Sequence, residues 1–158
     1  MLARRCVVFV SLVLMAGCGS GGGVMTKPID LTTPEAAVLS LEEAYRARDI
    51  AAAVKCKDFR TEALLMLEKL NPELAKDEEI IAQTTEVLEL AFRAEMKQQG
   101  FPNFRGVSST FQNKKPFRNR SDIVEMTETC VGDGGSTTTS QIIMAKTEPG
   151  WRIVVVPE

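Results

Sequence analysis

Apolar residues recur at helical spacing through the first half of the chain and alternate with polar ones through the second, and the period changes at Gly100. Thr33-Pro34-Glu35 supplies a capping oxygen, a residue without an amide donor and an acid, each suited to the start of a helix. Val38, Leu41, Ala44 and Tyr45 then fall on one side, and Glu42, Glu43, Arg46 and Arg48 on the other. This spacing predicts a first amphipathic helix. Asp49 caps a second, whose stripe of Ile50, Ala53 and Val54 resumes after a break near Asp58 through Ala63, Leu64, Leu67 and Leu70. Asn71-Pro72 ends it. A third helix between Asp77 and Gln99 carries Ile80, Ile81, Thr84, Val87, Leu88, Ala91 and Phe92 on one broad face, and Gly100 stops it.

Beyond Gly100, β-branched residues and turn signals predict four strands near Gly106–Asn113, Asp122–Val131, Thr137–Lys146 and Trp151–Val156. Gly132-Asp133-Gly134-Gly135 and Glu148-Pro149-Gly150 provide tight turns. Strands joined so closely pair antiparallel, and a sheet with one apolar face needs helices to cover it. The expected class is α+β, with three N-terminal helices packed on a curved four-stranded antiparallel sheet.

The first seventeen residues follow a different logic. Arg4 and Arg5 precede the apolar run Cys6–Met15, and Ala16-Gly17-Cys18 follows. A charged start, a run too short to remain as a membrane span and small residues before a cleavage point form a signal peptide. Leu14-Met15-Ala16-Gly17-Cys18 resembles the lipobox of bacterial lipoproteins, with Met15 where leucine is commonest. The resemblance implies cleavage before Cys18 and acylation of its thiol, and two or more acyl chains anchor stably. Gly19-Ser20-Gly21-Gly22-Gly23 reads as a flexible tether. The expected organisation is a signal peptide over 1–17, a lipidated cysteine and linker over 18–31, and one domain over 32–158. The expected address is the cell envelope, on the periplasmic side of the outer membrane in a Gram-negative cell, because Gly19 and Ser20 lack the acid that retains lipoproteins at the inner membrane.

Charge and composition narrow the function. Loss of Arg4 and Arg5 takes the net charge from −2 to −4, which argues against nucleic acid as a partner. The chain has no histidine, so the commonest general base and most transition-metal sites are excluded. Neither a P-loop nor a dinucleotide glycine fingerprint is present. No cofactor and no metal ion is expected, since structural zinc needs four close nitrogen or sulfur ligands.

Thr33-Pro34-Glu35-Ala36-Ala37-Val38 opening a helix, Glu43-Ala44-Tyr45-Arg46-Ala47-Arg48-Asp49-Ile50 joining it to the next, and Phe59 closing the pair together resemble the start of NTF2-like domains. Four C-terminal strands fit the same superfamily. The third helix is long for it, and no strand falls between the second and third helices. The resemblance implies a cone of sheet around helices, a fold that hosts isomerases, dehydratases, cyclases, transport adaptors and immunity proteins, so function has to come from residues.

Val124, Met126, Glu128 and Cys130 share one face of the second strand, which makes Glu128 an acid on an otherwise apolar surface, with a pKa raised by desolvation. Tyr45 on the first helix is a candidate hydrogen-bond donor to a developing oxyanion, with Asp58 a further acid. Steroid-isomerase-like members of the superfamily use an acid and a tyrosine in this way. The plainer alternative places Tyr45 in the core with its hydroxyl at the rim, Glu128 near a strand end and Asp58 at a helix cap.

Lys114, Lys115, Arg118 and Arg120 cluster in a segment read as the loop between the first two strands, a candidate contact for anionic headgroups or an acidic partner; such clusters also serve as solvated loops that discourage edge pairing. After export Cys56 and Cys130 are the remaining thiols in an oxidising setting, and their expected directions into the layer between helix and sheet make them a candidate disulfide. The expected function is binding of a protein partner or small apolar ligand by a lipid-anchored, non-catalytic domain. The alternatives are a pocket enzyme of isomerase or dehydratase type using Tyr45 and a carboxylate, and an immunity or envelope-stress protein acting by protein contact.

Overall fold

The computed structural model describes residues 27–156; the signal segment, Cys18 and the glycine tract lie outside the described residues. Four α-helices, α1 (Pro34–Ala47), α2 (Ile50–Lys55), α3 (Phe59–Leu70) and α4 (Glu78–Gln98), precede four strands, β1 (Ser108–Phe117), β2 (Arg120–Val131), β3 (Thr137–Thr147) and β4 (Gly150–Val154). The strands form one antiparallel sheet in the order β1-β2-β3-β4. The class is therefore α+β, with helices against a four-stranded antiparallel sheet.

Side-chain caps set the helix starts where the sequence placed them. Thr33 Oγ1 accepts from the Ala36 amide at 3.1 Å, and Asp49, Asp58 and Asp77 accept from amides in the first turns of α2, α3 and α4. The expected second helix is two. Between α2 and α3 the chain runs extended along the sheet: the Cys56 carbonyl accepts from the Ile153 amide and the Asp58 amide donates to the Ile153 carbonyl, both at 2.9 Å. Lys57 thus forms a parallel bridge with Ile153, covering the β4 edge that would otherwise offer unpaired backbone groups to another chain.

The domain also begins earlier than residue 32. Ile29 and Leu31 pack against the core, Asp30 exchanges hydrogen bonds with Ser40 Oγ, and the Leu31 carbonyl accepts from the Trp151 amide at 2.8 Å. Gly150 makes that approach possible. Its φ is +129°, and a Cβ there would run into the Leu31 carbonyl.

Two apolar layers meet the sheet. On one face Ala37 and Val38 of α1 pack against Met126 and Met144, with Phe111, Val124, Ile142 and Trp151 around them. On the other, Leu65 of α3 packs with Ile123, Ala145 and Val154. Outside these, Leu41, Ala44, Ala53, Cys56, Phe59, Phe92 and Met96 hold α1, α2, α3 and α4 together.

Candidate functional site

Glu42 is the residue the sequence misplaced. Assigned to the solvated side of α1, it is 2% exposed, and its carboxylate accepts from Arg46 Nη2 at 2.7 Å and from Ser109 Oγ of β1 at 2.5 Å. The signal was available: Val38, Glu42 and Tyr45 stand at i, i+4 and i+7, one row on the helix surface. Glu128 of β2 meets Glu42 within hydrogen-bonding reach and is itself only 7% exposed. Burial first, then the Glu42 charge, pushes Glu128 up to about 7. Ser140 Oγ of β3 donates weakly to Glu128 Oε2 at 3.4 Å, Cys130 Sγ lies 3.4 Å from Ser109 Oγ, and Glu128 Oε1 has no hydrogen-bond partner. Arg46 extends the cluster outward, donating to the Phe104 and Val107 carbonyls at 3.0 and 3.2 Å and pairing with Glu43 at 3.3 Å.

Glu128 is a buried acid among Glu42, Ser109, Ser140 and Cys130, and the contacts of Tyr45 and Asp58 are with other residues. The Tyr45 ring stacks on Phe104 and tilts against Phe101, with centroids at 5.9 and 6.1 Å, and burial holds its phenol well above the ordinary tyrosine range. Asp58 caps α3 through the Thr61 amide and hydroxyl at 3.1 and 2.6 Å. None of the contacts of Tyr45 or Asp58 just named is shared with Glu128. Val38, Met126 and Met144 pack together in the layer between α1 and the sheet.

The two cysteines do not pair; both are free thiols. Cys56 sits level with Ile153, which pairs with Met144, which pairs with Val124. Cys130 lies six residues further along β2, about 20 Å at ~3.4 Å per residue, and a disulfide needs its Cα atoms within about 7 Å. Their side chains do turn toward the helical layer, as the alternation implied, but at opposite ends of it.

The basic cluster is not a loop. Lys114 and Lys115 belong to β1, Arg120 opens β2, and only Arg118 and Asn119 form the turn, both at positive φ as in a type I′ hairpin. Three of the four cations meet carboxylates: Lys114 with Glu35 at 2.8 Å, Lys115 with Glu125 at 2.7 Å and Arg120 with Asp122 at 2.8 Å. Arg118 lies over the Phe117 ring at 4.9 Å. Beside this hairpin an open cleft of about 300 Å³ is lined by Pro34, Lys114, Lys115, Pro116, Val124 and Trp151. Thr32 and Thr33, the residues by which the N-terminal segment enters α1, line it too.

No protein-family model matches the sequence, and no curated protein matches it. Among solved structures, the chain is similar to an NTF2-like protein from Campylobacter jejuni, provisionally assigned as a transpeptidase, with 14% identity over 78% of this chain and 99% of that one and a TM-score of 0.40. That likeness carries no argument about activity, and the α+β class stands on the helices and sheet described above. Among the described residues no helix is long and apolar enough to cross a membrane, and no group of three or more Cys, Asp or Glu side chains is placed to hold a metal ion.

Proposed function

We propose that the chain is a lipid-anchored envelope protein with an NTF2-like domain that works by binding, its ligand being a partner's apolar segment or a small apolar molecule seated in the cleft between the start of α1 and the β1–β2 hairpin. The observation that carries this reading is the filled interior. Val38, Met126 and Met144 pack together in the layer between α1 and the sheet, which favours a ligand held at the surface over one held between Tyr45 and a carboxylate. The cleft is lined mainly by apolar residues beside Lys114 and Lys115, which suits an apolar body whose anionic end displaces Glu35 or Glu125 from one of these lysines.

Two measurements test the reading. Metabolic labelling with a fatty-acid analogue is expected to mark the wild type and not Cys18→Ala, and equal labelling of both overturns the anchor. Trp151 is the single tryptophan of the chain and lies in the cleft, so its emission reports occupancy. Titration with decanoate, an apolar chain with a carboxylate head, is expected to give a saturable blue shift that Lys115→Glu weakens. An emission unchanged up to the solubility limit removes the small-ligand form of the proposal.

A further inference from the structure

We propose that Glu42 and Glu128 hold a single proton between them, and that this proton fastens helix α1 to strands β1 and β2 and makes the packing of that end of the domain sensitive to pH.

The carboxyl oxygens present the case. Glu42 Oε2 takes Arg46 and Glu42 Oε1 takes Ser109. Glu128 Oε2 takes a long bond from Ser140, Ser109 and Cys130 also bear on this carboxyl, and Glu128 Oε1 is buried with no donor. A buried carboxylate oxygen left without a donor is costly, and two carboxylates sharing a dry site do not both ionise. One proton resolves both problems. Placed on Glu128 Oε1 it gives that atom a hydrogen to donate toward Glu42, whose own oxygens already accept from the guanidinium and the hydroxyl.

The surrounding charges agree with this assignment. From α1 the cluster faces Arg46, whose one positive charge is shared with Glu43 and is partly open to water. From β2 it faces Cys130, a thiol pushed up by burial and therefore neutral. From β1 and β3 it faces the uncharged hydroxyls of Ser109 and Ser140. Arg46 is already shared by Glu42 and Glu43, and among the described residues Glu128 makes no ion pair of its own.

The direction of the pH effect follows from linkage. Glu128 titrates near 7 in the fold and near the ordinary 4.5 when the chain is unfolded. Between those values the folded state holds one proton more than the unfolded state, so stability declines as pH rises through that window and levels off above it. Ionised Glu128 then repels Glu42 and competes for Arg46 and Ser109. Those two side chains hold the carbonyls of Phe104 and Val107 and the first residues of β1, so this is the part that loosens.

Urea unfolding of the wild type and Glu128→Gln at about pH 5 and about pH 8 tests the proposal. Glutamine keeps a donor at this position at every pH. The wild-type midpoint is expected to fall across the interval, with the unfolding constant rising up to about tenfold per pH unit. Glu128→Gln is expected to lose that component and to exceed the wild type at the higher pH. Parallel curves for the two proteins, or a flat wild-type curve, overturn the proposal. If Glu128→Gln does not fold, the infrared spectrum of the wild type in heavy water at about pH 6 decides. A protonated-carboxyl band that disappears as pH passes neutrality is the expected result, and its absence overturns the shared proton.

Discussion

The Lys57 ammonium lies 3.4 Å from Glu62 Oε2 with the two side chains only 8% and 12% exposed, and it sits 5.1 and 5.0 Å from the centres of the Phe59 and Phe92 rings. Burial pushes this lysine down from its ordinary range, and Glu62 pulls it partly back. The pair is there because Lys57 bridges β4, which fixes its backbone at the sheet edge beneath α3 and α4. Removing one partner of a buried pair leaves an uncompensated charge, whereas removing both leaves none. Lys57→Met and Glu62→Gln are each expected to cost about 3 kcal/mol, and the double variant clearly less than the sum. Urea unfolding of the three variants checks this, and simple additivity would contradict it.

Cys56 and Cys130 are expected to behave as two free thiols of unequal reactivity. Cys56 is 0% exposed, and burial pushes its thiol up to about 11; Cys130 is half-buried and raised by the same cause. Because the thiolate is the reactive form, both are slow, and access then separates them. A thiol reagent applied to native protein at about pH 8 should label Cys130 first and Cys56 only on unfolding. Denatured, unreduced protein should show both. If neither reacts, they are bridged and the sheet register given above is wrong.

The sequence was legible where a local chemical cause acted alone. Thr33 and Asp49 cap helices at the residues their side chains predicted, and Gly100, at φ +83°, lies just past α4. What was lost depended on distant partners. The helix break at Lys57 is a strand contact with Ile153, nearly a hundred residues away. The adjoining ends of β1 and β2 were read as loop because Pro116 and four cations fall there; Pro116 fits β1 because β1 is an edge strand and one amide facing outward is not needed there. Glu42 looked like one more solvated acid on α1 until Ser109 and Glu128, both beyond residue 100, closed over it.

Met126 and Met144, both 0% exposed, decide whether the interior is a packed layer or a chamber waiting for a ligand. They lie under Ala37 and Val38 on the face of the sheet that α1 covers, and the register places them side by side, Met126 opposite Ile142 and Met144 opposite Val124. In a close-packed layer, Met126→Ala leaves a void that neighbours fixed by strand pairing cannot fill, with a cost of about 2–5 kcal/mol. Met126→Leu nearly conserves volume and should cost less than about 1.5 kcal/mol. A pocket built for a ligand already contains slack, and trimming a side chain on its wall would be close to neutral. Thermal or urea unfolding of the two variants therefore separates the cases. A large loss for alanine with a small one for leucine supports a filled interior and a binding site on the surface. A loss below about 1 kcal/mol for Met126→Ala would return the space under α1 to consideration as a ligand chamber, and with it the acid at Glu128 as a group facing that ligand.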